Sequence, residues 1–252
     1  MLAIERQNKI LANLQINQTA LVSDLSKEYK VTEETIRRDL EKLEKRGLIK
    51  KTYGGAVFGH DVSLDIPLRS RENNNQEENM HIARLAASII KDGETLMMDS
   101  SAVSLCTARL LKQRLDLTII TNSVEILLNF AFIKGIKVIS TGGMLQKDDF
   151  TLAGHAAEQV LQGFHVDKTI ISCSALHREY GLTDTSEQEA HIKCRMARAA
   201  KHVIAVVPSN KFDNVSFVHF LDMAHVHTLV TNSEPSALWK DHLKKNQIEL
   251  YV

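Results

Sequence analysis

The sequence predicts an α/β protein with a small helical domain at its N-terminus and a larger domain built on a mostly parallel sheet. Apolar residues recur at helical spacing through the first 47 residues. From about residue 78, helix-like and strand-like segments alternate, which is typical of a parallel sheet covered by helices on both faces. A polar stretch at 58–77 separates the two patterns and indicates a linker. We therefore expect domains at 1–57 and 78–252.

Three short helices and a hairpin are predicted in the first domain. The first helix ends near Asn17, the second covers about 21–29, and the third runs from an N-cap at Thr32 to Gly47. The hairpin, or wing, follows and closes on Gly54-Gly55. The predicted buried stripe of the third helix consists of Ile36, Leu40 and Leu43. Together these elements describe a winged helix-turn-helix.

The larger domain is predicted from strands that alternate with helices. The strands are expected at 95–98, 117–120, 136–140, 168–172, 202–207 and 226–230. The helices are expected at 78–90, 102–113, 124–132, 154–162 and 186–200, with a last helix and strand within 235–251. Ligands of such sheets bind at the carboxyl ends of the strands. Here several of those ends carry Ser, Thr, Asn and Gly, so we expect a binding site there.

Charge is balanced over the chain but not along it. The 252 residues contain 31 Lys and Arg against 31 Asp and Glu, which argues against a polybasic tail or a membrane-surface protein. Residues 1–60 hold 11 basic and 8 acidic residues, and the remainder holds 20 and 23. This modest asymmetry has the sign expected of a nucleic-acid-binding N-terminus.

No cofactor or metal is expected. Cys106, Cys173 and Cys194 are widely spaced, and His225 with His227 has no evident third ligand nearby. The first residues form an amphipathic, charged pattern rather than a signal peptide, and no apolar run approaches the ~20 residues of a membrane span. We therefore expect a cytoplasmic protein.

The exposed face of the third helix is the predicted DNA-reading surface. A helix in the major groove contacts bases mainly through its N-terminal residues, so Arg38, with Thr35 beside it, is the candidate for a base edge. Other basic residues are better placed for phosphates; these are Arg37, Lys42, Lys45, Lys50 and Lys51. The alternative is an exposed helix laced by i, i+4 pairs, Glu34 with Arg38 and Arg37 with Glu41.

The segment Leu25 to Ala56 resembles the N-terminal signature of the DeoR family of repressors. It contains Thr35-Ile36-Arg37-Arg38-Asp39-Leu40, then Leu43, Gly47 and Gly54-Gly55-Ala56, with Tyr53 where the family usually has His. The resemblance implies DNA binding and repression of a carbohydrate or nucleoside catabolism operon. The full set expected at the DNA is Thr32, Glu34, Thr35, Arg37, Arg38, Lys42, Lys45, Lys50, Lys51 and Tyr53.

The rest of the chain resembles, more loosely, the sensor domain of that family, whose fold is related to ribose-5-phosphate isomerase and the CoA-transferases. The resemblance implies a phosphorylated sugar as effector. Backbone N–H groups at helix starts, hydroxyls and a lysine suit such an anion. The expected effector-binding residues are Asp99, Ser100, Ser101, Ser104, Thr121, Asn122, Ser123, Gly142, Gly143, Lys193 and Lys211.

The sequence departs from the family pattern in two loops. Ser101-Ala102-Val103 replaces a Gly and two Thr of the first loop, and Cys173-Ser174-Ala175 stands where many members carry glycines. An isomerase-like enzyme with a DNA-binding head is the alternative function, although the Lys-Gly-Gly-Gly and acidic loops of such isomerases are missing. A third alternative is a head that binds RNA or protein, but the sequence lacks the stacking aromatics that RNA recognition uses. We expect a repressor, not an enzyme, that acts as a dimer or tetramer.

Overall fold

The computed structural model describes residues 3–17, 19–45, 49–52, 54–58, 76–146 and 149–252. The chain divides into two compact units, Met1–Ser70 and Arg71–Val252. Most of the predicted linker, 58–77, lies outside the described residues, and the helix predicted from residue 78 begins at Gln76, inside that linker. The exact domain boundaries stay a prediction.

The first unit contains three helices and a three-stranded antiparallel sheet. The helices are α1 (Ala3–Asn17), α2 (Val22–Tyr29) and α3 (Glu33–Lys45). The strands β1 (Thr19–Leu21), β2 (Ile49–Thr52) and β3 (Gly55–Phe58) pair in the order β1-β3-β2. The hairpin and the helices were predicted, whereas β1 was not. Lys30 ends α2 in the left-handed conformation, with φ of 53°, and provides the turn into α3.

A small apolar core holds the first unit together. Its buried residues come from every helix and from the sheet; they are Ile10, Leu14, Val22, Leu25, Ile36, Leu40, Leu43, Ile49 and Ala56. Gly55 is required because a Cβ there would lie 2.3 Å from the carbonyl oxygen of Ala20 on β1. The predicted stripe of α3 is thus confirmed, and it packs against α1, α2 and the wing.

The second unit is an α/β domain. Its helices are α4 (Gln76–Ile89), α5 (Ala102–Leu110), α6 (Val124–Phe130), α7 (His155–Gln162), α8 (Glu187–Ala199) and α9 (Ala237–Lys245). The main-sheet strands are β4 (Thr95–Met98), β5 (Thr118–Thr121), β6 (Lys137–Ser140), β9 (Val166–Ile171), β12 (Ala200–Val206), β14 (Thr228–Val230) and β15 (Glu249–Tyr251). All neighbouring pairs are parallel, in the order β15-β14-β12-β9-β4-β5-β6.

The main sheet is buried on both faces, as the sequence predicts. Met97 packs into a core with α7, α8 and α9, whereas its neighbours Leu96 and Met98 pack into a core with α4, α5 and α6. This follows from the two-residue alternation of side chains along a strand. The chain leaves β4 toward β5 and β6 on one side and later toward β12, β14 and β15 on the other. The order therefore reverses between β4 and β9, which creates the crevice where such sheets bind ligands.

Two smaller antiparallel sheets of the second unit were missed by the sequence prediction. One is a hairpin of β7 (Met144–Gln146) and β8 (Thr151–Ala153). The other is a sheet of β10 (Ala175–His177), β11 (Gly181–Asp184) and β13 (Val218–Leu221). The predicted strand at 226–230 is shorter than expected, because His225 closes a single 3-10 turn before β14 begins.

Candidate functional site

The buried side of α3 is anchored to α1 by a polar network. Asp39 accepts a hydrogen bond from Arg6 Nε at 2.5 Å and another from Gln7 Nε2 at 2.9 Å, and all three side chains are buried. Thr32 begins the helix as predicted, because its Oγ1 accepts from the backbone N–H of Thr35 at 3.3 Å. These contacts fix which face of α3 points outward.

The outward face of α3 carries two cations that make no ion pair with any described residue. Arg38 and Lys42 are exposed, and neither side chain takes part in a salt bridge or hydrogen bond within the part of the chain that the structure describes. The i, i+4 pairs of the alternative reading do not form; Arg37 instead pairs with Glu33 at 3.0 Å, and Lys51 with Glu41 at 3.2 Å.

The remaining residues predicted at the DNA divide into two groups. Glu34 is exposed beside Arg38 on the same helix, and Thr35 is half-buried with its hydroxyl 2.9 Å from that of Thr32. The side chains of Lys45 and Lys50, and the whole of Tyr53, lie outside the described residues. A base-reading Arg38 flanked by phosphate-binding lysines stays a prediction.

A cavity of about 340 Å³ opens at the crevice of the main sheet. The loops after β4, β9 and β12 contribute to its wall, as do the first turn of α4 and the starts of α5 and α8. The lining residues are Asn79, Ser100, Ser101, Ala102, Val103, Ser172, Cys173, Ser174, Asp184, Thr185, Glu189, Lys193, Pro208, Asn210 and Lys211. Four of the predicted effector residues are therefore brought together, namely Ser100, Ser101, Lys193 and Lys211.

Asp99 lies behind the cavity and organises the first loop. Its Oδ1 accepts from Ser101 N at 3.2 Å, Ser101 Oγ at 2.6 Å and Ser104 Oγ at 2.5 Å. Its Oδ2 accepts from the backbone N–H of Ser172 at 2.8 Å. Asp99 and Ser104 are fully buried, so both position the loop rather than face the cavity.

Lys193 on α8 is surrounded by three carboxylates. Its Nζ lies 2.5 Å from Asp184, 3.4 Å from Glu189 and 3.8 Å from Asp99. Burial alone would lower the pKa of Lys193, but the three carboxylates outweigh it and raise that pKa above its ordinary value. Burial likewise opposes ionisation of Asp184, yet Lys193 and the hydrogen bonds from Ser174 and Thr185 lower its pKa. Lys193 therefore stays protonated, and its positive charge is already paired with carboxylates of the protein.

Lys211 is the second cation of the cavity. Its Nζ donates to the carbonyl oxygen of Cys173 at 2.6 Å and forms no salt bridge with any described carboxylate. Burial, the largest influence, lowers the pKa of Lys211. Burial also raises the pKa of the Cys173 thiol to about 12, so that thiol is protonated at neutral pH. Lys211 thus keeps N–H donors that a bound anion could accept from.

The start of α5 supplies further donors. Ser101 is its N-cap and accepts from the backbone N–H of Ser104 at 3.3 Å. The first N–H groups of a helix have no partner within it, and Ala102 and Val103, which carry them, line the cavity. Ser100 and Asn79 are buried, line the same cavity, and make no side-chain hydrogen bond with the described residues.

The other predicted effector residues do not line this cavity. Thr121 Oγ1 donates to the carbonyl of Met98 at 2.7 Å, and Ser123 caps α6 by accepting from Ile126 N at 3.3 Å. Asn122 is buried, and its Oδ1 has no partner among the described residues. Gly142 and Gly143 have positive φ and lead into β7. All five lie at or just after the ends of β5 and β6, away from the point where the strand order reverses.

Several lining residues were not predicted. Asn79 precedes the first strand of the sheet, and Asp184 ends the unpredicted strand β11. Ser172 and Glu189 each carry a buried oxygen without a partner among the described residues, Oγ and Oε1. One signal that could have pointed to this wall is the i, i+4 spacing of Glu189 and Lys193 on α8.

No group of three or more His, Cys, Asp or Glu side chains within the described ranges is arranged to hold a metal ion. His227 Nδ1 accepts from the backbone N–H of Val203 at 3.0 Å, and its ring lies beside His202. His225 does not share a strand with it. Among the described helices, none combines the length and apolar character needed to cross a membrane.

Models of known protein families match both units. A model of the DeoR-like helix-turn-helix domain matches residues 6–62, and a model of the DeoR C-terminal sensor domain matches residues 74–233. The second match alone covers more than half of the chain.

Among solved structures, the chain is similar to ribose 5-phosphate isomerase A of Methanocaldococcus jannaschii, with 14% identity, a TM-score of 0.41 and 55% of each chain covered. It is also similar to eIF2B beta of Chaetomium thermophilum, with 18% identity and a TM-score of 0.47 over 68% of this chain and 53% of that chain. The chain spans about half the length of these two structures, and the likeness concerns the fold alone.

Curated relatives match over nearly the whole chain. The regulator YulB of Bacillus subtilis strain 168 is 37% identical over 92% of this chain and 90% of its own length. The transcriptional repressor GlcR of the same organism is 33% identical over 88% and 85%. The L-fucose operon activator of Haemophilus influenzae is 28% identical over 88% and 89%. With both family matches, these relatives show that the chain belongs to the DeoR family and is a DNA-binding transcriptional regulator rather than an enzyme.

Proposed function

We propose that this protein represses a carbohydrate-catabolism operon, binds its operator through α3, and is released by a phosphorylated sugar bound in the cavity of the second unit. Family membership supports the DNA-binding role. GlcR, which is named a repressor, supports repression, and the relative named as an L-fucose operon activator supports the sugar class. A DNA-bound regulator of this kind acts in the cytoplasm.

The proposed DNA contact uses the outward face of α3. Arg38 reads a base edge because it lies in the first half of the helix, is exposed, and is not engaged by a described carboxylate. Lys42, one turn further, binds a phosphate. Arg37 and Lys51 must first leave Glu33 and Glu41, exposed pairs that cost little to break.

The observation that carries the effector proposal is that one lysine of the cavity is paired with carboxylates and the other is not. The lining includes the start of α5, Ser100 and the unpaired Lys211, which together suit a phosphate group. The lining also includes Glu189, whose Oε1 lacks a partner among the described residues and would accept from a sugar hydroxyl. Because the charge of Lys193 is already paired with three carboxylates, we assign Lys193 to holding these carboxylates rather than to the phosphate.

Release of DNA requires the ligand to bind the DNA-incompetent arrangement more tightly. A coupling free energy of ~1–3 kcal/mol makes operator binding roughly 5–150-fold weaker. One winged helix reads too few base pairs for useful specificity, so we further propose a symmetric dimer or tetramer that places two heads on spaced half-sites. If analytical ultracentrifugation showed a monomer and that monomer bound the operator with full affinity, the proposed assembly would be wrong.

The test is a thermal-shift screen of hexose and pentose monophosphates, followed by DNA-release assays with each hit. A ligand that binds only the native state raises the apparent melting temperature. We expect at least one sugar phosphate, but not the corresponding free sugar, to stabilise the protein and to release it from a DNA duplex selected from a random pool. Failure of every sugar phosphate to do both would overturn the proposal.

A further inference from the structure

The first turn of α4 brings an unassigned polar side chain to the cavity. Asn79 is only 6% exposed, yet it lines the cavity together with the start of α5. Its amide makes no hydrogen bond with any residue that the structure describes. Because its amide atoms have no partner and are not enclosed by protein, they are open to the cavity, and a polar ligand there can donate to Oδ1 or accept from Nδ2.

Asn79 is also the buried residue of this turn. Gln76 and Glu77 are exposed and Glu78 is half-buried, whereas Asn79 is buried. The apolar anchors of α4 begin only at Ile82, which packs in the same core as Val103 of α5. A ligand that bonds to the Asn79 amide would therefore add a contact to a turn that has no other buried side chain.

The position of this turn in the chain gives it a second role. In sequence, α4 is the first helix after residues 59–75, and β3 of the DNA-binding unit precedes those residues. A ligand that engages Asn79 thus contacts the first described helix that follows the head in the sequence. Ordering of one element by one ligand is sufficient to couple two sites, without a large structural change.

We propose that Asn79 is a ligand-contacting residue of the cavity and that it couples occupancy of the cavity to the first turn of α4, and so to DNA release. This rests on the proposed function, since it assumes that a sugar phosphate binds there. The amide suits either end of such a ligand, because it donates to phosphate oxygen and accepts from hydroxyl.

The experiment compares the full-length wild type with Asn79→Ala and Asn79→Asp. The matched control is Gln76→Ala, which removes an exposed amide from the same turn. The probe is the strongest-binding sugar monophosphate of the screen, with inorganic phosphate alongside. Three quantities are measured: the Kd of the probe, amide hydrogen exchange in α4 with and without it, and the ratio of operator affinities without and with saturating probe.

In the wild type and Gln76→Ala, we expect the probe to slow exchange in the first turn of α4 and to give the same release ratio. In Asn79→Ala, the Kd should rise about 2- to 10-fold, the slowing of exchange should be lost, and the release ratio at saturation should fall toward one. Asn79→Asp should bind the anionic probe still more weakly.

Three other outcomes are possible, and each contradicts a different part of the proposal. If Asn79→Ala is released at saturation as fully as the wild type, the coupling role is wrong while the proposed function stands. If its Kd and exchange are also those of the wild type, the ligand contact is wrong. If no sugar monophosphate binds the wild type, the proposed function fails and this inference falls with it.

Discussion

The Nε atom of Arg6 on α1 lies 2.5 Å from the Oδ2 atom of Asp39 on α3, and both side chains are buried. Gln7 completes the contact from the next position of α1. The network fixes α3 about its own axis, since Asp39 belongs to the buried face and its neighbour Arg38 is exposed. The buried Asp39 carboxylate, which joins α3 to α1, therefore determines that Arg38 and Lys42 face outward.

Asp39→Ala should destabilise the first unit strongly. Removing one partner of a buried ion pair leaves Arg6 charged and unpaired, at a cost of ~3–5 kcal/mol. Chemical denaturation combined with hydrogen exchange in α1 measures this loss. Asp24→Ala, which removes an exposed aspartate of α2, should change stability little. Equal behaviour of the two variants would show that the network does not hold the head together.

Arg38→Ala and Lys42→Ala should weaken DNA binding in different ways. Loss of a base contact costs ~1–3 kcal/mol and relaxes preference at one position, whereas loss of a phosphate contact weakens all sequences alike and reduces the salt slope by about 1. Binding titrations over a range of salt, with a duplex and its single-base variants, separate the two. An unchanged base preference in Arg38→Ala would mean that α3 meets DNA in another register.

The Asp184–Lys193 pair predicts a pH dependence of stability. The pKa of Asp184 is lowered in the folded protein relative to its ordinary value of 3.8. Asp184 therefore contributes stability above pH 3.8, and this contribution is lost as the pH falls through the lower folded value. The drop in unfolding free energy between pH 7 and pH 3 should be smaller in Asp184→Asn than in the wild type.

The matched control for this measurement is Asp241→Asn, which removes the charge of an exposed aspartate on α9. Urea titrations at both pH values should give the wild-type drop for this control. If Asp184→Asn showed the full wild-type drop as well, the pair would not be the source of the acid sensitivity.

The main strands and the head helices could be predicted because their apolar periodicity is local. Ile36, Leu40 and Leu43 recur at helical spacing, and Leu96-Met97-Met98 forms a continuous apolar run typical of a strand buried on both faces. The β10-β11-β13 sheet was missed because its short strands lack the continuous apolar run seen in Leu96-Met97-Met98, and because β13 lies far from its partner in sequence.

The candidate site was only partly predictable for a related reason. Ser100, Ser101 and Ser123 were all expected at the site because each follows a predicted strand, and a serine after a strand looks the same in sequence wherever that strand lies in the sheet. Strand order then separates them: the loop after β4 lies at the reversal, and the loop after β5 does not. Asn79 and Asp184 reach the cavity through contacts with distant segments, which no local pattern reveals.

The most direct test of the central claim is operator affinity as a function of sugar-phosphate concentration, measured for the wild type, Lys211→Ala and Ser100→Ala. Lys112→Ala, which removes an exposed lysine outside the cavity, is the control. We expect saturating ligand to weaken operator binding by the wild type and the control roughly 5–150-fold, and to leave operator binding by the two cavity variants unchanged. Release of both cavity variants at wild-type ligand concentrations would show that the cavity is not the effector site.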